Sequence, residues 1–275
     1  MKNLLKTFNR VARGYLKNQW EPIPELLAEE TLRIGTSHEG RRIGAYRINS
    51  GPKKVLFVAA IHGNEVGTRR TLVHLYAWIK DHAEEFKDFT FWFVPCLNPD
   101  GFAEALAHPD YAHGGRKGRF NGKGVDLNRN FPVPSFKEKS HWNHGKNYKE
   151  RTPVFCGTHG GSESEIKGLT EFAVEQKIEV LFMLHNVGED VMPSQDARAI
   201  KLAKLFSEHS GFPFVSNEEW VALEQTGTFK EWCELEHISF IEVEASVRAG
   251  RYGSDWERQK PAYEACLEAL KNEKK

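Results

Sequence analysis

The hydrophobic positions of this chain follow two rhythms. One is extended: Val55-Leu56-Phe57-Val58-Ala59-Ala60-Ile61 is an unbroken apolar run, Phe89 to Pro95 is aromatic and β-branched, Ile178 to Leu184 is of the buried type, and Ile238 to Glu244 is the last strand. Apolar runs of this length without alternation describe strands covered on both faces, as inside an α/β sheet. The other rhythm has a spacing of three and four. Val66, Leu72, Val73, Tyr76 and Ile79 predict a helix directly after the first run. Further helices are predicted over 194–209 and 258–273. Ser162-Glu163-Ser164-Glu165 reads as a helix start, with a serine cap and an acidic first turn.

Shorter strands are predicted over Thr31–Ile34 and Arg42–Ile48, around the turn Ser37-His38-Glu39-Gly40, and over Phe212–Val215. Leu97-Asn98-Pro99-Asp100-Gly101 carries strong turn residues. Residues 107–124 are rich in Gly, His, Arg and Lys without periodicity, and 133–160 continue polar and irregular. The segment 217–228 reads as a loop carrying Trp220. Structureless regions of this length inside a compact domain usually serve function. There is no internal repeat, low-complexity tract or linker, so one domain over residues 1–275 is expected.

Composition narrows the classes. Apolar residues make up 40% and aromatics 12%, as in a folded protein rather than a disordered one. Lys plus Arg and Asp plus Glu balance at 38 each, so no net field draws the chain to nucleic acid or to an anionic membrane. No stretch approaches the ~18 apolar residues of a membrane span. Near the N-terminus Leu4, Leu5, Phe8, Val11, Ala12, Tyr15 and Leu16 are interleaved with Lys2, Lys6, Arg10, Arg13 and Lys17. This predicts, within residues 1–25, an amphipathic helix packed on or flanking the domain rather than a secretion signal. Cys96, Cys156, Cys233 and Cys266 form no CxxC pair. A reducing, cytoplasmic location is the expectation. The oligomeric state is left open.

The chemistry sits where the apolar runs stop. The first ends in His62-Gly63-Asn64-Glu65, the third in His185, and the last carries Glu242 and Glu244 on one face because strand side chains alternate. In α/β sheets ligands gather at the C-terminal ends of the strands. Two histidines and a carboxylate offer the N and O donors that zinc accepts, with a fourth position left open, and a further carboxylate supplies a general base. That is the inventory of a metallohydrolase.

At this point the sequence resembles the zinc carboxypeptidases, the carboxypeptidase A-like (M14) metallopeptidases. The matching pieces stand in the family's order. They are Ile34-Gly35-Thr36-Ser37-x-Glu39-Gly40-Arg41, His62-Gly63-Asn64-Glu65, Asn98-Pro99-Asp100-Gly101, Gly124-Val125-Asp126-Leu127-Asn128-Arg129-Asn130-Phe131, Gly161-Ser162-Glu163-x-Glu165, Leu184-His185 and Thr226-Gly227-Thr228-Phe229-x-x-Trp232. The resemblance implies a three-layer sandwich, with a mixed, mostly parallel twisted sheet and helices on both faces. It implies one zinc ion per chain held by His62, Glu65 and His185, and a peptide substrate with a free carboxylate. Glu244 would be the general base, favoured over Glu242 by the family's spacing. Arg119, or its neighbour Arg116, would steady the oxyanion. Asn128 and Arg129 would hold the carboxylate, and Asp126 would orient the first zinc histidine.

Three departures matter. The loop Asn217–Gln225 has Trp220 but lacks the tyrosine of digestive members. Lys230 falls near the specificity pocket, where it would favour an acidic side chain or second carboxylate. No pro-segment or secretion signal is apparent, which turns the expectation toward a cytoplasmic peptidase or a murein-peptide amidase. Two alternatives stand beside this reading. One is a deacylase like succinylglutamate desuccinylase or aspartoacylase, and the other a zinc- or carboxylate-binding module without turnover.

Overall fold

A computed structural model describes residues 30–108, 117–144, 148–186, 188–245 and 255–273. The expected N-terminal amphipathic helix lies outside the described residues, as does Arg116. The strands are β1 (Glu30–Thr36), β2 (Arg42–Ile48), β3 (Lys53–Ala59), β4 (Phe89–Val94), β5 (Lys139–His144), β6 (Glu150–Phe155), β7 (Val180–Asn186), β8 (Asp190–Pro193) and β9 (Ser239–Ala245). The α-helices are α1 (Val66–Asp81), α2 (Pro99–Ala107), α3 (Ser164–Glu175), α4 (Ala197–Ser210), α5 (Asn217–Val221), α6 (Phe229–Leu235) and α7 (Trp256–Lys271).

Seven strands form one sheet in the order β1-β2-β4-β3-β7-β9-β8. The central four, β4, β3, β7 and β9, run parallel; the pairings outside them are antiparallel. The unbroken apolar runs are the central strands because both of their faces are covered. Val55 and Phe57 of β3 join α1, α4 and α7 in one core through Leu75, Phe206 and Tyr263. Leu56 and Val58 join α3 and α6 in the other, through Leu169 and Trp232. This is the three-layer sandwich with helices on both faces.

The differences from the sequence reading have local causes. Asn98-Pro99-Asp100-Gly101 starts α2 rather than making a simple turn. The Asn98 side chain caps the Gly101 N–H at 2.8 Å, and Pro99 sits in the first turn, where its missing donor costs nothing. The Ser162 cap is also corrected. Helix α3 begins at Ser164 with Glu163 at its cap position, while the Ser162 hydroxyl donates to Glu163 and accepts from Asn130. Within 133–160, β5 and β6 pair as a separate two-stranded sheet whose mostly polar, half-exposed residues leave no apolar alternation to read. Phe212–Val215 is no full strand, since only Phe214 bridges to Val191 of the short β8. At the edge of the supposed loop 217–228, Ser216 and Glu219 build a reciprocal capping box that starts α5.

Candidate metal centre and active-site cleft

Three neighbouring parallel strands, β3, β7 and β9, end on one edge of the sheet, and a cleft of about 1210 Å³ opens there. His62 and Glu65 follow β3 through a tight connection. A Cβ on Gly63 would lie 2.0 Å from the Phe102 nitrogen, so only glycine lets the ligand turn press against the start of α2. His185 is the penultimate residue of β7, and Glu244, directly opposite it in register, belongs to β9.

The donor atoms converge. Glu65 Oε1 lies 2.8 Å from His62 Nδ1, and Glu65 Oε2 lies 2.9 Å from His185 Nδ1. Ligand atoms of all three residues fall within 4.8 Å of one another, and all three side chains are buried yet line the cleft. Two imidazole nitrogens and a carboxylate are a donor set that fits zinc. Burial opposes ionisation of Glu65, but the charges of His62 and His185 outweigh it and lower the carboxyl to about 2. Burial likewise opposes charge on His185, yet Glu65 and Glu242 raise it to about 10.

Asp126, fully buried, lies 3.2 Å from His62 Nε2, on the ring edge away from Glu65. A carboxylate there fixes the tautomer and presents Nδ1 as the free donor nitrogen, the arrangement that orients metal-binding histidines. Arg119 donates to the same carboxylate through Nε at 3.0 Å and Nη2 at 2.9 Å. Burial works against the Asp126 charge, but Arg119 and His62 hold it well below the carboxylate range. The Arg119 guanidinium also lies 4.3 Å over the Trp142 ring of β5, which gives the hairpin a place in the site.

Asn128 and Arg129 lie in the short 3₁₀ turn after Asp126, and both line the cleft. The Asn128 side-chain oxygen accepts from the Phe229 N–H at 3.0 Å, and its amide nitrogen lies 3.4 Å from His185 Nε2. Arg129 is 2% exposed, with Nε donating to the His141 carbonyl and Nη1 to the Asn128 carbonyl. Behind it stands Gly227 at φ 70°, where a Cβ would meet the Arg129 carbonyl oxygen at 2.3 Å. Burial pulls the Arg129 guanidinium below its ordinary value despite Asp126, so an added anion would be welcome beside it.

Glu242 and Glu244 both face the cleft. Glu242 is 4% exposed, 3.8 Å from His185 Nε2. Glu244 accepts from the Gly188 N–H at 3.1 Å. Burial, partly offset by His185 and reinforced by Glu65 and Asp190, raises Glu244 to about 8. Lys230 stands apart from these residues. Its amine lies 2.7 Å from Glu234, one turn along α6, and 5.9 Å from the Trp220 ring; Trp220 lines the cleft and Lys230 does not.

Sequence reasoning missed Tyr148, which projects from the β5–β6 hairpin into the cleft and donates to Asp190 at 2.7 Å. It missed Asp190 as well, because the four residues of β8 are too few to show a period. The pairing of Asp190 with Glu244 in the antiparallel ladder puts both on one face.

Sheet order, donor set and cleft together describe an α/β domain with a candidate metal centre at the ends of its central strands. The sequence profile of the zinc carboxypeptidase family, peptidase M14, matches residues 15–233, and the chain belongs to that family. Among curated proteins it is similar to metallocarboxypeptidase A of Trichophyton rubrum. The two are 29% identical over 210 residues, which is 65% of this chain and 48% of that protein. It is also similar to the carboxypeptidase N catalytic chain of Rattus norvegicus, 34% identical over 117 residues, 36% of this chain and 25% of that one. The chain thus spans at most about half the length of these curated relatives. Among solved structures, murein-tripeptide amidase MpaA from Escherichia coli O157 superposes with a TM-score of 0.67 at 22% identity, covering 93% of this chain and 98% of that one. Carboxypeptidase A from Helicoverpa armigera gives a TM-score of 0.65 at 19% identity, over 94% and 73%. These likenesses establish the fold. Among the described residues, no helix is long and apolar enough to cross a membrane.

Proposed function

We propose that the protein is a zinc carboxypeptidase that hydrolyses the amide bond next to a free carboxylate at the end of a peptide. One observation carries this reading. The His62, Glu65 and His185 donors meet in a cleft that also holds a buried arginine, Arg129, and a second carboxylate, Glu244. His62, Glu65 and His185 would hold a zinc ion, which would supply Lewis acidity able to lower the pKa of water from about 15.7 toward 7.

The chain's own residues do the rest. Arg129 and Asn128 grip the substrate's terminal carboxylate; a guanidinium whose plane is fixed by two backbone carbonyls is pre-organised for that fork. Glu244 takes a proton from the attacking water and returns it to the departing amine. Its position near neutrality suits a group that must do both. Arg119, held in place by Asp126 and Trp142, donates to the carbonyl oxygen as charge builds on it. A donor of this kind is worth about 3–4 kcal/mol in the barrier. The structural likeness to a murein-tripeptide amidase supports including murein-type peptides among the substrates to be tried.

The test compares each peptide as free acid and as C-terminal amide, with zinc content measured on the same preparation. Losing a charge-assisted contact to Arg129 costs about 3 kcal/mol, so amidation is expected to lower kcat/KM by about a hundredfold or more. Arg129→Ala should erase the difference. Equal rates on acids and amides in the unmodified enzyme would sink the carboxypeptidase reading and leave a small-molecule deacylase standing.

A further inference from the structure

The β5–β6 hairpin touches the cleft at two places. Trp142 lies against the Arg119 guanidinium, and at the far end the Tyr148 hydroxyl donates to Asp190, the first residue of β8, at 2.7 Å. Of the hairpin's other cleft-lining side chains, His144 turns to Glu150 and Thr152, Arg151 to Glu224, and Lys149 is exposed. Tyr148 holds its place at φ 53°, a left-handed backbone that side-chain-bearing residues seldom adopt, and the Asn143 side chain donates to its carbonyl at 3.3 Å. Such conformations persist where the surroundings impose them, and they gather at functional sites.

Glu244 depends on the segment that this hydroxyl holds. Among the described residues, the one hydrogen bond to its carboxylate comes from the Gly188 N–H, at 3.1 Å. Gly188 has no side chain with which to fix itself, and nothing larger would fit. A Cβ there would lie 2.0 Å from the Tyr148 oxygen and 2.9 Å from the Glu244 Cβ, so the glycine is wedged between phenol and carboxylate. Two residues on, Asp190 stands opposite Glu244 in the antiparallel ladder. Tyr148 therefore anchors the end of the turn whose N–H holds Glu244.

Charge gives the anchor its importance. Like charges directly opposite in an antiparallel pair repel, and Glu65 and Glu242 line the same cleft. Asp190 is 6% exposed, and its Oδ1 has no donor among the described residues, so the Tyr148 bond to Oδ2 is what satisfies the carboxylate. Burial and the charges of Glu244 and Asp190 push the phenol far above its ordinary value, so it stays a donor. Without the hydroxyl, Asp190 must seek donors elsewhere, because a buried acceptor left unpaired is costly, and the turn that presents Gly188 moves with it.

We propose that Tyr148 is a positioning residue for the proton-transfer step: through Asp190 and the Gly188 turn, the hairpin holds the Glu244 carboxylate in place beside the metal centre. The inference rests on the proposed function, with Glu244 as its base, and adds to it a residue from outside the strands that end at the site.

The experiment uses the zinc-loaded full chain and an N-acylated dipeptide, as free acid and as amide. Tyr148→Phe removes only the hydroxyl. It should lower kcat by about tenfold or more and move KM by less than about threefold, with zinc content unchanged. In an Asp190→Ala background the same substitution should cost less than about threefold more, because both changes act on one contact. Gly188→Ala, which reaches the phenol from the other side, should lower kcat similarly, so a folding defect in one variant leaves the other to decide. In the zinc-free proteins, hydrogen exchange over residues 186–193 should be faster in Tyr148→Phe than in the unmodified chain. A kcat within about twofold of the unmodified enzyme, a loss that falls on KM instead, or unchanged exchange over that segment would overturn the inference. Amides cleaved as fast as acids by the unmodified enzyme would bring down the carboxypeptidase reading alone, since the Tyr148 comparison is made on whichever amide bond is turned over.

Discussion

Asp100 and Glu65 are both buried carboxylates, and both sit in motif strings that carried the family resemblance, yet the structure gives them opposite tasks. Asp100 is surrounded by fixed donors: the Ser37 hydroxyl at 2.6 Å, the Arg41 guanidinium at 2.7 Å and the Glu39 N–H at 3.0 Å. Its partners come from the β1–β2 turn, so the network bolts that turn to the start of α2, and Asp100 does not line the cleft. Glu65 has two imidazoles as its chief partners, at 2.8 and 2.9 Å, and it faces the cleft. A buried charge enclosed by committed donors holds structure together. One partnered by groups that can give up a proton and bind a metal is available for chemistry.

Three substitutions sharpen or break this contrast. The deepest effect is expected at the open network. Glu244→Gln should keep zinc and fold but lower kcat by about 10³-fold, within the range for removing a general base. Steady-state kinetics beside metal analysis of the same sample checks this. If Glu242→Gln is the variant that stops turnover, the two carboxylates have exchanged roles.

Asp126→Asn comes next. It leaves His62 without the carboxylate that orients it, and zinc affinity should fall about 10–100-fold, read by competition with a chelator. Unchanged affinity would mean that β3 and its turn alone fix the imidazole.

The smallest effect belongs to the closed network. Asp100→Asn should cost about 1–2 kcal/mol through weakened charge-assisted hydrogen bonds, a fall of roughly 2–8 °C in Tm. Turnover per folded molecule should hold. If that variant instead lost turnover as deeply as Glu244→Gln, the separation of the two networks would fail.

The same contrast explains what could be read without a structure. Val55–Ile61 announced itself as a central strand because burial on both faces leaves no polar residue in the run, Ile178–Leu184 and Ile238–Glu244 are nearly as apolar up to their C-terminal ends, and the polar residues at those ends marked the candidate metal centre. Elements carrying half-exposed or very short segments stayed hidden: β8 with its four residues, and the β5–β6 hairpin that delivers Trp142 and Tyr148. Other signals were present but weighed wrongly. Ser216 and Glu219 have capping-box spacing at the edge of what read as a loop. Lys230 and Glu234 have the i,i+4 spacing of a helical ion pair, which the structure contains. Motif strings mark positions that matter, but Asp100 and Glu65 show that they do not distinguish a structural bolt from a carboxylate that faces the cleft.

The first residue before α1 carries a last consequence. Glu65 occupies the N-cap position of that helix, yet its side chain makes no capping bond, and the first turn of α1 contains no acidic residue. The carboxylate that could have answered the helix's exposed N–H groups is turned toward the two histidines. Serine or asparagine there would suit the helix better, by about 1 kcal/mol on the usual scale of caps, and would remove a buried charge. Selection for stability alone would therefore drive this position away from glutamate. On the proposed function, its presence marks a trade in which the fold accepts a poorer helix start to keep a carboxylate for the metal.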